Sequence, residues 1–516
     1  MTRSLCDAQE ECTETQKEAV KYNEGPLLIV AGPGTGKTRV IIEKVAYLIK
    51  KENVDPGSIV VITFTEKAAE ELKNRLRKCV GLDVERMQVS TIHSFCNRIL
   101  REYSEYHDLG AGFDILDNDD QLIFIRSHFY KLGLNKYIRM GEAPDVITFF
   151  NECSENCIDP EELKKALKRE HPDNGRYHGF CDCYAKYLDL LKKEGKIDFP
   201  GLQRNAVELL ESNENVREDL RTRFKYILID EYQDTNPIQE RLFELLASGN
   251  ICVVGDEDQS IYGFRGSTVE NIRSFEDKFN AHTIFLDENF RSRAGIIKIA
   301  DEFMNKSRYY KKRIKAKRNG GYDVILLESG DVHDEARRIV RLLKNLKRDG
   351  IIPDYGHVAL LFKSVRYHAG KIIGELEREG VPYTIRGDGS FLDRDEIKSI
   401  LYFLGYVNPP RYKNFRRWDW WDISMFDGEF LGLSRETKNA LKGFGKTFKL
   451  SSLLDEESFK EAGIKEPADI KKLLGLNKLK EKIKKEPMRI LEIFYKLLDI
   501  TGYLGRLIED DTYESR

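Results

Sequence analysis

No apolar run in this sequence approaches the length needed to cross a bilayer. No apolar segment sits in the N-terminal MTRSLCDAQEECTETQ either, so no secretory signal is expected. Internal repeats and low-complexity linkers are absent, which leaves no sign of a repeat architecture. Neither sign of charge dominates. The 84 Lys and Arg stand against 87 Asp and Glu, a formal net charge of −3, which excludes a chain basic all over but not a local basic groove. Cysteine is sparse, nine residues scattered through 516, and the odd count reads as reduced thiols of a cytoplasmic protein, not a disulfide framework. What is present is a soluble globular composition, 33% charged and 41% hydrophobic. A chain of this length is too long for one core, so two to four domains are expected.

Strand and helix signals alternate over residues 26–105. PLLIVA reads as a buried strand, and RVIIEKVAYLIKK puts Ile41, Val45, Leu48 and Ile49 on one helical face. SIVVIT and EKAAEELKNRLRKCV repeat the pattern, which predicts an α/β layout with a parallel sheet. Residues 106–200 read as helical and as an insertion. Strand runs return at KYILID, NICVVGD and TIFLDE, so the chain leaves the first sheet and comes back to it. DVILLES, HVALLFKS and VPYTIRG are read as strands of a second α/β segment, and the chain turns helical again from about residue 395.

AGPGTGKT lies between the first strand run and the first helix. Gly32, Gly34 and Gly36 allow close backbone approach, and successive N–H groups at a helix N-terminus favour an anion. A phosphate loop of this kind places Lys37 on the β and γ phosphates of a nucleotide and Thr38 on Mg²⁺; a plain glycine turn is the alternative. Hydrolysis also needs a carboxylate on the metal and a group that orients water. KYILIDEYQDTN ends an apolar strand at Asp230, read as the Mg²⁺ carboxylate, and Glu231, read as the general base.

With DEYQDTN beside VVGDEDQSIYGFRGS, the sequence resembles superfamily 1 DNA helicases of the UvrD/Rep/PcrA type. TETQKEAV, AGPGTGKT, ITFTEKAAEELKNRL, VSTIHSF, ILIDEYQDTN, VVGDEDQSIYGFRGS and FLDENFRS follow in the order of that family's motifs. The resemblance implies two RecA-like parallel-sheet motor domains, the second incomplete, each with a mainly helical insertion. The implied division is 1–105 and 201–285 for the first motor domain, 106–200 for its insertion, 286–392 for the second and 393–516 for the second insertion. It also implies an ATP-dependent, 3′-to-5′ motor on single-stranded or partly duplex DNA, in repair, replication or recombination. Gln16 would read the adenine edge, with Thr35 in the loop and Arg39 and Phe290 flanking the base. Gln259 would sense the γ-phosphate, and Arg291 would reach it from the second motor domain. Phe64, Thr65, His93, Tyr262, Phe264 and Arg265 would contact DNA, although aromatics of this kind are more often core. Phe264 stands where the family usually has Trp, and Phe290 where Tyr is usual.

The family's motifs V and VI do not occur after residue 405, and the sequence finishes at TGYLGRLIEDDTYESR. The corresponding expectation is that nucleotide binding survives while sustained unwinding does not. It admits a non-motor ATP- and DNA-binding accessory protein, or one half of a split helicase completed by a second chain. Cys153, Cys157, Cys181 and Cys183 are close in sequence, but their spacing is not that of a usual zinc ribbon, and idle thiols are expected. KSRYYKKRIKAKR reads as a solvated charged face or a phosphate contact, and Trp418, Trp420 and Trp421 as core.

Overall fold

The computed structural model describes residues 12–139, 142–170, 175–261, 267–306, 308–320, 324–386, 397, 399–400, 403–404, 430–443, 455–486 and 488–509. Tyr262, Phe264, Arg265 and the three tryptophans lie outside the described residues. The chain divides into two compact units, Met1–Ile325 and Leu326–Arg516.

The first unit opens with α1 (Glu14–Lys21), β1 (Leu27–Ala31), α2 (Lys37–Lys50), β2 (Ile59–Thr63), α3 (Glu66–Val80), β3 (Gln88–Thr91) and α4 (Ile92–Glu102). Thr13, Thr65 and Thr91 cap α1, α3 and α4 through their hydroxyls, which satisfies helix-end N–H groups that no carbonyl can reach. A short strand β4 (Asp114–Leu116) leads into the helices α5 (Asn118–Ser127), α6 (Phe129–Leu132), α7 (Ala143–Glu155), α8 (Pro160–Glu170) and α9 (Gly175–Lys193). The chain leaves through β5 (Lys196–Asp198), which pairs in parallel with β4. Neither strand is legible in the sequence, because three residues are too few to show an alternation.

Next come α10 (Phe199–Ser212), α11 (Glu214–Arg223), β6 (Tyr226–Ile229), α12 (Pro237–Leu246), β7 (Asn250–Gly255), α13 (Glu270–Phe279) and β8 (His282–Leu286). Six strands form one parallel sheet in the order β3-β2-β6-β7-β1-β8. The two strands that follow the helical insertion therefore slot between β2 and β1. Alternate residues of the central strands feed two cores, one on each face. Leu28, Val30, Val60, Ile62, Ile227 and Ile229 pack with α4, α10 and α12, while Leu27, Ile29, Val61, Leu228 and Val254 pack with α2 and α3. Burial on both faces explains why these strands read as unbroken apolar runs. Each buried Leu, Ile or Val contributes on the order of 1.5–3 kcal/mol.

Cys153 and Cys183 belong to the core of the helical insertion, where burial pushes their thiols up to about 12 and about 11. Seven described cysteines carry free thiols; Cys79 is disulfide-bonded, which departs from the expectation of reduced thiols throughout.

Beyond β8, β9 (Glu288–Arg293) and β10 (Lys315–Arg318) form a parallel pair, with α14 (Ala294–Met304) between them in sequence. In the second unit α15 (Val332–Arg348) packs on α17 (Gly370–Arg378) through Val340, Leu343, Ile372 and Leu376, and the four-residue α16 (Val365–His368) precedes α17. A separate core of Phe459, Leu473, Leu476 and Leu497 unites its later helices. The three strands read at DVILLES, HVALLFKS and VPYTIRG do not form among the described residues. Ile325, Leu326 and Leu361 are 77%, 84% and 92% exposed. A parallel strand needs a neighbour to satisfy its backbone groups, and these runs have none among the described residues. No helix among them is long and apolar enough to cross a membrane.

Candidate active site

β1, β7 and β6 are consecutive in the sheet, and each ends in a loop that carries chemistry. The ends of parallel strands, where the order reverses, are the usual ligand crevice of such sheets.

After β1, the backbone of Gly34 and Gly36 adopts φ of 73° and 94°, values that only glycine accepts without strain. Thr35 is fully buried and braces the loop through its hydroxyl, 2.7 Å from the Gly32 carbonyl. A Cβ on Gly32 would collide with Ile314, and one on Gly36 would come within 2.9 Å of Gln16 Nε2. Gln16 completes the capping box of α1 and donates to the Thr35 carbonyl at 2.9 Å, so α1 holds the loop from one side. Arg39 lies in the first turn of α2, half-buried.

From the other side β9 closes on the same loop. The Phe290 N–H donates to the Gly34 carbonyl at 2.9 Å, and the Asn289 amide donates to the Pro33 carbonyl. Asn289 is fully buried, and its Oδ1 accepts from the N–H groups of Arg291 and Ser292. It therefore fixes the turn that carries Arg291 beside the loop. A Cβ on Gly34 would meet Arg291 Cβ at 2.7 Å and Asn289 Nδ2 at 2.8 Å. The Gly34→Ala chain is accordingly expected to lose nucleotide affinity by at least tenfold, roughly the effect of 1–3 kcal/mol of backbone strain plus the clash. A fluorescent-ATP titration checks this; unchanged affinity would remove the loop from the site.

Lys37 Nζ lies 2.6 Å from Glu231 Oε2 and 3.4 Å from Gln259 Oε1. The Thr38 hydroxyl lies 3.4 Å from Asp230 Oδ2. One hydrogen-bonded group thus joins all three strand ends. Burial, then the neighbouring Glu231, pushes the Asp230 carboxyl up to about 6, against the pull of Lys37. Glu231 sits in the left-handed region at φ 51°, a conformation a non-glycine residue holds only when its surroundings enforce it. Gln233 supplies part of that enforcement. It donates to Glu231 Oε2 at 2.8 Å and accepts from the Asp256 N–H at 3.0 Å, tying the end of β6 to the end of β7. Sequence reasoning passed over Gln233 and Asn289, although both lie inside the motifs already quoted.

Phe64 and His93 follow β2 and β3, on the same edge of the sheet. Glu66 joins their loops by accepting from the Thr91 and Ser94 hydroxyls at 2.6 and 2.7 Å. Thr65 serves as the cap of α3. The His93 ring lies 2.6 Å from the Gln203 amide nitrogen and meets Phe199 edge-on at 5.5 Å. Phe199 is 40% exposed and Phe64 38%, so Phe199 adds an exposed aromatic to the Phe64 and His93 that sequence reading named. KIDFP offered a weak signal, an aromatic exposed at a helix start. The cationic run 306–318 divides: Lys306, Lys311, Arg313, Lys315, Lys317 and Arg318 are exposed, as a solvated face requires, while Arg308 and Lys312 turn inward to Asp256, Glu257 and Asp258.

Known proteins share this arrangement's sequence. The model for the UvrD/REP helicase N-terminal domain matches residues 12–280, and that for the UvrD-like helicase C-terminal domain matches 284–498. The chain is 33% identical to the ATP-dependent DNA helicase PcrA of Staphylococcus aureus strain Mu50 across 97% of its own length and 67% of the relative's. It is 32% identical to PcrA of Staphylococcus epidermidis strain RP62A across 86% of itself and 64% of the relative. The chain thus spans about two thirds of the length of these relatives. On these matches it belongs to the UvrD/Rep helicase family, and is an ATP-hydrolysing DNA helicase built on two RecA-like α/β motor domains.

Proposed function

We propose that the chain is a motor that moves 3′-to-5′ along single-stranded DNA at the expense of ATP, in repair, replication or recombination. The observation that carries this reading is the single hydrogen-bonded group of Lys37, Glu231, Gln259, Thr38 and Asp230 at adjacent strand ends, on the same sheet edge as Phe64 and His93, with Phe199 against the His93 ring. In this reading the first motor domain is 1–105 with 201–285, the second begins at 286, and 106–200 and 393–516 are their insertions.

The residues fit Mg²⁺ and a triphosphate. A hydroxyl and a carboxylate supply the oxygen donors a hard cation prefers. Asp230 is buried, and its raised pKa shows that Lys37 alone does not offset its charge. The glycine loop leaves no room for a Cβ. When bound, the metal would neutralise charge on the phosphates. Lys37 binds the phosphate chain, a role that exchanges its present partner Glu231 for an anion. Glu231, released, holds a water and takes its proton. Gln259 orients toward the γ-phosphate, and Arg291 adds positive charge where the leaving bond breaks. Gln16, Arg39 and Phe290 enclose the base. Phe64 and Phe199 stack DNA bases, and Gln203 holds the His93 ring against Phe199.

The test is ATP hydrolysis with and without single-stranded DNA, alongside Lys37→Ala. Strong stimulation by DNA supports a motor; DNA binding with no turnover favours the accessory reading. A Phe199→Ala chain is expected to need about 5- to 150-fold more DNA for half-maximal stimulation, the effect of losing about 1–3 kcal/mol of stacking. A displacement assay with 3′- and 5′-tailed duplexes reads the polarity.

A further inference from the structure

Three acids in a row, Asp256, Glu257 and Asp258, follow β7 with their carboxylate oxygens within 4.8 Å of one another. Asp256 is fully buried. Three such charges packed together repel strongly unless a cation lies among them. The place a metal would take is filled by Lys312, whose side chain is 2% exposed. Its ammonium pairs with Asp256 Oδ1, lies 2.9 Å from Glu257 Oε2, and lies 3.3 Å from Asp258 Oδ2. Arg308 adds a second cation, 2.8 Å from Asp258 and 2.5 Å from Asp301, and donates to the Lys312 carbonyl at 2.9 Å.

Asp256 is also the residue that aims Gln259. Its Oδ2 accepts from Gln259 Nε2 at 2.5 Å, which turns the amide oxygen of Gln259 toward Lys37. The other carboxylate oxygen is held by Lys312 and by the Asp258 N–H at 3.2 Å. An unbroken series runs Lys312, Asp256, Gln259, Lys37, Glu231. Its first member lies in the segment matched by the C-terminal domain model, as Arg291 does, while the others lie in the segment matched by the N-terminal one.

We propose that Lys312, seated by Arg308, is a positioning residue that fixes the Gln259 amide through Asp256 and so links the two halves of the family's motor at the sensor turn. The inference rests on the reading of Gln259 as the amide that faces the γ-phosphate. Losing the cation frees Asp256 to seek another partner, and the amide loses its fixed orientation without losing its place.

The full chain carrying Lys312→Met is expected to hydrolyse ATP about 10- to 100-fold more slowly in the presence of single-stranded DNA, the effect of misplacing a group by about an ångström. Its KM for ATP is expected to stay within about threefold, since ground-state binding is untouched. Lys312→Arg is expected to recover most of the rate. In a Gln259→Ala background, Lys312→Met is expected to cost nothing further, because both changes break one series. Losses that multiply in the double variant would make Lys312 a structural residue only and overturn the proposal, as would a Lys312→Arg chain as slow as Lys312→Met. A Gln259→Ala chain that keeps its rate would overturn the reading of Gln259 and the positioning role together. A loss in Gln259→Ala with none in Lys312→Met would overturn the positioning role alone. Should Lys312→Met fail to fold, the charge-balanced Lys312→Met/Glu257→Gln pair carries the same comparison, with the same outcomes.

Discussion

A Glu231→Gln chain is expected to bind ATP and DNA as the parent does, and to turn ATP over about 10²- to 10⁴-fold more slowly. The amide keeps the shape of the carboxylate and can accept from Lys37 and Gln233, so the left-handed turn at φ 51° persists. Only the ability to take a proton from water is lost. The ion pair with Lys37 goes as well, but Glu231 is about a third exposed and such a pair contributes little, of the order of 1 kcal/mol or less. Lys37→Ala differs in kind, because the loop then loses its one cation for the phosphates and affinity falls with the rate. Single-turnover kinetics beside equilibrium binding separates the two. Unchanged turnover in Glu231→Gln would move the base elsewhere; Asp234, pushed up to about 6 by burial and by Glu231, would be the first to examine.

Asp230→Asn is expected to stop metal-dependent hydrolysis and, in the same molecule, to make the ligand-free protein more stable at pH 8. The ordinary carboxyl value is 3.8, and burial raises that of Asp230 to about 6. Between those values the folded chain holds a proton that the unfolded chain releases, so stability falls as pH rises through the window. Above it the full deficit applies, roughly 2–3 kcal/mol at about 1.4 kcal/mol per pH unit. Asparagine does not ionise and escapes the deficit. The advantage in thermal midpoint is therefore expected at pH 8, to shrink below pH 6, and to vanish near pH 4. Equal midpoints at pH 8 would show that Asp230 is not held up by burial. Added Mg²⁺ with nucleotide is expected to stabilise the parent and not the variant.

The glycine loop and the acidic strand end that the structure brings together were legible because both are local patterns. Three glycines in five residues, and an apolar strand that stops at Asp230, leave few other readings. The first sheet was legible for the same reason, since strands buried on both faces announce themselves as apolar runs. What escaped is held by pairing between distant segments. Asn289 and Gln233 are ordinary amides until their carbonyl and carboxylate partners are known. Lys312 stands in a run of cations that looks solvated, and only the fold turns it inward while its neighbour Lys311 stays exposed. The runs at 324–329 and 358–363 have strand composition, yet a ladder is a property of two segments and no composition supplies the second.

β6 and β7 occupy the middle of a sheet whose flanks, β1 and β2, are made much earlier. During translation about 200 residues must be added after β1 before β6 exists, some 10–40 s at ordinary elongation rates. Throughout that interval the nascent chain carries apolar strands with bare edges and a glycine loop held from the α1 side alone. The helical segment α5–α9, which has a core of its own, emerges in the meantime. The ribosome thus delivers the two central strands of the sheet, with the acidic ends they carry, after the strands they must wedge between.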